Sequence, residues 1–87
     1  MRNTTFVPEG GEQYTYWHSQ DRNTLKRINI LLEAAARDPF AGIGKPEALV
    51  GNLSGYWSRR IDEANLLVYR ATDEALIIVS CRYHYDA

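Results

Sequence analysis

The sequence predicts an α+β fold in which an N-terminal strand and two successive helices pack on one face of a mainly antiparallel sheet. Three observations point to it. Apolar residues between 21 and 37 recur at helical spacing. Beyond residue 55 they fall instead into short, β-branched and aromatic runs. The polar links between those runs, DEAN at 62–65 and TDEA at 72–75, are short enough only for antiparallel neighbours.

Residues 2–7, RNTTFV, have the composition of a short strand, which PEGG at 8–11 breaks. From Glu12 to about Ser19, Tyr14 and Trp17 stand three apart with Tyr16 beside them, the spacing of a short first helix. Gly10 and Gly11 weaken its first turn. Asp21 is placed to cap a second, longer helix. Along it Leu25, Ile28, Leu31, Leu32 and Ala35 form the apolar face, and Lys26, Arg27 and Glu33 take other faces. Asp38-Pro39 ends it, because proline disfavours a helical residue before it. FAGIGKPE, residues 40–47, is a loop punctuated by glycine and proline. Three strands follow at 55–61, 66–71 and 76–85, the last being the richest in β-branched residues and hence the most buried.

The 87 residues form one domain, 1–87, of ordinary globular composition, 45% hydrophobic and 24% charged. So small a core gains from partner binding or self-association. A net charge of −1 offers nucleic acid no bulk attraction, so any phosphate-binding surface must be a local cluster. Cys81 has no partner for a disulfide and sits in an apolar run, so a buried thiol is expected. Two histidines and one cysteine at unrelated spacings predict no metal site, and nothing calls for a cofactor. The longest apolar run, ALIIV at 75–79, is too short to cross a bilayer, and no basic-then-apolar leader opens the chain. A cytoplasmic protein without a membrane partner is expected.

Alternation puts Leu76, Ile78, Ser80, Arg82 and His84 on one face of the last strand. Ile77, Val79, Cys81, Tyr83 and Tyr85 fall on the other, which is wholly apolar or aromatic and is expected to pack on the helices. In GYWSRRI, Tyr56, Ser58 and Arg60 oppose Trp57, Arg59 and Ile61. Polar, basic and aromatic residues thus gather on one side of the sheet.

Histidine, arginine and tyrosine converging without an acidic excess suggest a phosphodiester site. Cleaving RNA without metal takes a base for the ribose 2′-hydroxyl, an acid for the departing 5′-oxygen, and cations for the phosphorane. His84 is a candidate acid, since an imidazole near its reference pKa of roughly 6.5 donates at neutral pH. Glu47, following Gly-Lys-Pro in the loop, is a candidate base, and Arg60 and Lys45 are candidate phosphate ligands. Arg22, Lys26, Arg27 and Arg37 lie on or beside the second helix and form a candidate phosphate-facing patch. The competing reading, for both groups, is an ordinary solvated polar face.

RDPFAGIGKPEALVGNLSGYWSRRI at 37–61, LVYR at 67–70 and CRYHY at 81–85 together resemble the YoeB toxins, a branch of the RelE superfamily of bacterial toxin–antitoxin modules. Tyr16, Trp17, Asp21 and Arg22 fit the same pattern, so the resemblance spans essentially the whole chain. It implies a RelE-like fold and a ribosome-dependent mRNA interferase that cuts mRNA in the ribosomal A site through 2′-hydroxyl attack. It also implies a YefM-type antitoxin as partner, and pairing as a homodimer. The family's catalytic glutamate falls on Glu47, its histidine on His84, its C-terminal tyrosine on Tyr85 and the arginine of its WSRRI motif on Arg60. Because the family uses both His84 and Tyr85, the last strand is expected to end or twist near residue 84.

The pattern breaks at Leu66, where the family carries an arginine that contacts the scissile phosphate. Losing one preorganised donor to a developing oxyanion typically costs ~10²–10³ in rate. Arg70 shares the strand face but lies about 13 Å further along, too far to substitute. Either Leu66 detoxifies the protein, leaving an attenuated fold that captures antitoxin and ribosome, or Arg60, Lys45 and the ribosome supply enough charge for residual cutting. Gly11, where related toxins often carry a bulky aromatic, is expected to thin the core slightly.

Overall fold

A computed structural model describes residues 1–83. The chain runs β1 (Asn3–Phe6), α1 (Pro8–Gln20), α2 (Arg22–Arg37), β2 (Glu47–Ala48), a 3-10 turn (Gly51–Leu53), β3 (Trp57–Arg60), β4 (Leu66–Ala71) and β5 (Ala75–Ser80). The five strands form one sheet in the order β1-β5-β4-β3-β2. Every pairing is antiparallel except that of β1 with β5, which is parallel because the α1–α2 hairpin and the later strands intervene between them. The two helices lie over one face, and Ile28, Leu31, Ala35, Leu67, Tyr69, Leu76 and Ile78 are fully buried between them and the sheet.

Asp21 separates the helices and serves both. Its backbone N–H donates to the Trp17 carbonyl at the end of α1, and its carboxylate accepts from the N–H groups of Asn23 and Thr24 at the start of α2. Those bonds hold the Asp21 carboxyl below the usual aspartate range. The second helix ends at Arg37 with Asp38 as its C-cap, where the proline boundary places it.

The first helix begins earlier than its apolar spacing predicts. PEGG does not merely break the strand; it forms the first turn of α1, with Pro8 at a position where its missing N–H is no loss. Gly10 is buried, and a Cβ there would stand 2.7 Å from the Ile78 carbonyl oxygen, so this glycine lets α1 approach β5. At Gly11 a Cβ would meet only Phe6 Cβ, at an ordinary 3.7 Å.

The last strand differs most from its prediction. It ends at Ser80, and its helix-facing side chains are Leu76 and Ile78, whereas Ile77 and Val79 are half-buried on the other side. A β-bulge accounts for the difference. Ile78 pairs with Tyr69 and Ser80 with Val68, so Val79 is an extra residue and the alternation reverses after it. Cys81 consequently does reach the core, as expected, and burial pushes its thiol up to about 12. The strand predicted over 55–61 is confined to Trp57–Arg60, and the loop predicted over 40–47 ends in the two-residue edge strand β2.

Candidate active site

Glu47 starts β2 and lies directly opposite Ser58 of β3. Ser58 in turn lies opposite Val68, and Val68 opposite Ser80, so one row crosses four strands on the face away from the helices. The neighbouring pair on that face is Arg60 with Leu66. Lys45, Glu47, Ser58, Arg60 and Leu66 together line a cleft of about 210 Å³. A second depression of about 200 Å³ continues from it past Arg60 and Leu66 to Asp62 and Glu63. A carboxylate and two cations thus share one concave surface, which is the minimum needed for a base and an anion site side by side.

The loop that carries Lys45 and Glu47 is fixed from beneath. Gly44 and Lys45 are both left-handed, at φ +85 and +52, a conformation that costs a non-glycine residue about 1–2 kcal/mol. The Gly44 carbonyl accepts the Arg60 N–H at 2.7 Å, and a Cβ on Gly44 would stand 2.7 Å from Leu31 Cδ2. Earlier in the loop, Arg59 takes hold. Its guanidinium donates to the carbonyls of Asp38, Ala41 and Ile43 and to the Tyr69 hydroxyl, which itself donates to the Pro39 carbonyl. No carboxylate among the described residues pairs with Arg59; backbone dipoles carry its charge. Burial raises the Tyr69 phenol above its ordinary range, against the lowering effect of Arg59.

Arg59 is a residue that motif and spacing alone do not single out. Its signal was available, since alternation places it between Trp57 and Ile61 on the apolar face, where an arginine needs a reason.

His84 and Tyr85 lie outside the described residues. Arg60 is exposed at the end of β3, and its carbonyl accepts from Arg27 Nη2 at 3.1 Å. Arg27 therefore braces α2 against β3 instead of standing free in solvent. Arg37 is paired with Glu33 at 2.8 Å, one turn away on the same helix. Arg22 and Lys26 are the members of the predicted patch that remain exposed and unpaired among the described residues. Arg70 is exposed on β4, away from the cleft-lining residues. No helix among the described residues is long and apolar enough to cross a membrane.

Comparison with known proteins agrees with this architecture. The family described as "YoeB-like toxin of bacterial type II toxin-antitoxin system" matches residues 6–85. A Toxin YoeB from Streptomyces coelicolor is 58% identical over 81 residues, covering 93% of this chain and 96% of that protein. Among solved structures, a YoeB dimer from Staphylococcus aureus superposes with a TM-score of 0.90 at 46% identity, covering 97% of this chain and 98% of the other. A heterotetrameric YoeB-YefM toxin-antitoxin complex from the same organism superposes with a TM-score of 0.89 at 45% identity, over 98% of this chain and 99% of the other.

Proposed function

The chain belongs to the YoeB-like toxins of bacterial type II toxin–antitoxin systems, and from that premise we propose that it is a ribosome-dependent mRNA interferase. Glu47 takes the proton from a ribose 2′-hydroxyl in the ribosomal A site. The 2′-oxygen attacks the adjacent phosphorus, the P–O5′ bond breaks, and His84 gives the departing 5′-oxygen its proton. Lys45 and Arg60 face the same cleft and steady the negative charge of the phosphorane, and Tyr85 completes the set. The observation that carries this reading is the shared cleft, in which Glu47 stands with Lys45 and Arg60 instead of being dispersed over the surface.

A second reading is favoured by Leu66. Its apolar side chain lines the cleft beside Arg60, where the family resemblance calls for an arginine. On this reading the chain is an attenuated toxin that acts mainly by binding antitoxin and ribosome. In either case the partners are a YefM-type antitoxin, a second copy of the chain and the ribosome with its mRNA. The solved dimer and the YoeB-YefM complex support the first two.

The test is translation in a cell-free bacterial extract, with mRNA ends mapped for the chain as it stands, Leu66→Arg and Glu47→Gln. Cutting within A-site codons that disappears with Glu47→Gln supports the enzyme. Cutting by Leu66→Arg alone supports attenuation. Intact mRNA with both active-site-competent forms, or equal cutting by Glu47→Gln, overturns the assignment.

A further inference from the structure

Residues 81–83, which lead into His84, are held from several sides. Gln13 Oε1 accepts the Cys81 N–H at 2.7 Å, and Trp17 Nε1 donates to the Cys81 carbonyl at 2.9 Å. The Arg82 guanidinium lies 3.6 Å from the Tyr16 ring centroid and 4.4 Å from that of Tyr83. The last hold comes from the start of β4. Asn65 Oδ1 accepts the Tyr83 N–H at 2.7 Å, and the Leu66 N–H donates to the Tyr83 carbonyl at 3.0 Å. Both backbone polar groups of Tyr83 are therefore taken by two consecutive residues.

Tyr83 needs such a grip. Its φ is +65, left-handed for a residue with a side chain, and the residue is 58% exposed, so burial does not impose the conformation. Asn65 is itself fixed. It is buried, and its Nδ2 donates to both Asp62 carboxylate oxygens, at 3.0 and 3.2 Å. Asp62 Oδ1 also accepts the N–H groups of Ala64 and Asn65, each at 2.8 Å. Because Asp62 demands a donor, the Asn65 amide has one usable orientation, and that orientation turns Oδ1 toward Tyr83.

We propose that Asn65 is a positioning residue: locked by Asp62, it sets the left-handed turn at Tyr83, the residue from which the chain continues to His84. The inference rests on the reading of His84 and Glu47 as acid and base. It makes the β3–β4 link a determinant of the catalytic geometry.

The test exchanges the two partners. Asn65→Asp keeps an acceptor for Tyr83 but sets carboxylate against carboxylate at Asp62. The double exchange Asp62→Asn with Asn65→Asp restores one donor facing one acceptor with the polarity reversed, and keeps an oxygen for every N–H now bound. In the Leu66→Arg background, Asn65→Asp is expected to lower kcat about 100-fold with KM changed little, as a misplaced catalytic group does. The double exchange is expected to recover most of that loss. An unchanged kcat in Asn65→Asp, or a double exchange as slow as the single variant, overturns the proposal. Two NMR readouts need no ribosome: amide exchange at Tyr83 and the imidazole signals of His84. Both are expected to move in Asn65→Asp and to return in the double exchange. If no form cuts mRNA, the enzyme reading fails, and these signals alone decide the role of Asn65; signals that stay put in Asn65→Asp overturn it.

Discussion

Arg59 Nε donates to the Tyr69 hydroxyl at 2.9 Å, joining two polar side chains in the middle of the apolar face of the sheet. Neither sits there as a defect. The pair reaches past the core to the carbonyls of the 38–43 loop and holds the segment that leads to Lys45 and Glu47. Arg59→Met fills much of the volume but leaves those carbonyls and the phenol without their donor. It is expected to destabilise the fold by about 3–5 kcal/mol, and Tyr69→Phe by about 1–2 kcal/mol. Urea unfolding measures both; a loss below about 1 kcal/mol for Arg59→Met would mean that water serves the loop as well as the guanidinium does.

How much of this was legible follows from which signals are local. The second helix could be read to the residue because Asp21 and Asp38-Pro39 punctuate it, and β4 because polar links bracket it at both ends. The start of α1 was hidden: Gly10 looks like a helix breaker until β5 is seen lying against it. The face of β5 was hidden for a different reason, since the Val79 bulge is set by pairing with β4 and a period of two cannot foresee it. At the site, Glu47, Lys45, Arg60 and Leu66 could be named from the sequence as neighbours in motif. That Ser58 faces Glu47, that Arg27 is spent on the Arg60 carbonyl, and that Asn65 grips Tyr83 depend on strand register and chain reversal, which no spacing encodes.

Glu47 is exposed on a two-residue edge strand, so its side chain contributes little to folding. Glu47→Gln is expected to leave the melting temperature within about 1 °C while lowering mRNA cleavage by about 10²–10⁴, the usual contribution of a positioned base. Cleavage mapped alongside thermal melting checks both halves. A large drop in melting temperature would show that the residue works through structure instead.

Leu66 opens β4 and lies beside Arg60 at the junction of the two depressions, so a longer side chain has room to extend over either. Leu66→Arg is expected to raise cleavage about 10²–10³-fold, the worth of one preorganised donor to a developing oxyanion. The same change is expected to leave Glu47-dependence intact. A Leu66→Arg variant no faster than the parent chain would mean that Lys45, Arg60 and the ribosome already supply the charge.

The Asp21 cap gives the stability an acid limb. Bonds from Thr24 and Asn23 hold its folded pKa below the usual aspartate range, so the ionised cap stabilises the fold above the unfolded pKa. That stabilisation is lost as pH falls through the folded pKa. Asp21→Ala is expected to melt a few degrees below the parent at neutral pH, and the gap is expected to narrow below about pH 4. Paired melting curves between pH 7 and pH 3 check the sign; a gap that widened on acidification would contradict it.

Adjacent glycines in α1 are expected to respond in opposite directions. At Gly10 the added methyl meets the backbone of β5, with Ile78 O at 2.7 Å and Val79 O at 3.1 Å, and neither can swing aside as a side chain would. Gly10→Ala must therefore push α1 off the sheet at the bulge, at a cost of about 1–3 kcal/mol. At Gly11 the backbone is helical and the methyl gains an ordinary contact with Phe6. Gly11→Ala is expected to stabilise the fold by about 0.4–1 kcal/mol, chiefly by restricting the unfolded chain. Chemical denaturation of the two variants separates helix propensity from packing. If both alanines stabilise, propensity governs the first turn and the close approach of α1 to β5 is softer than its geometry indicates.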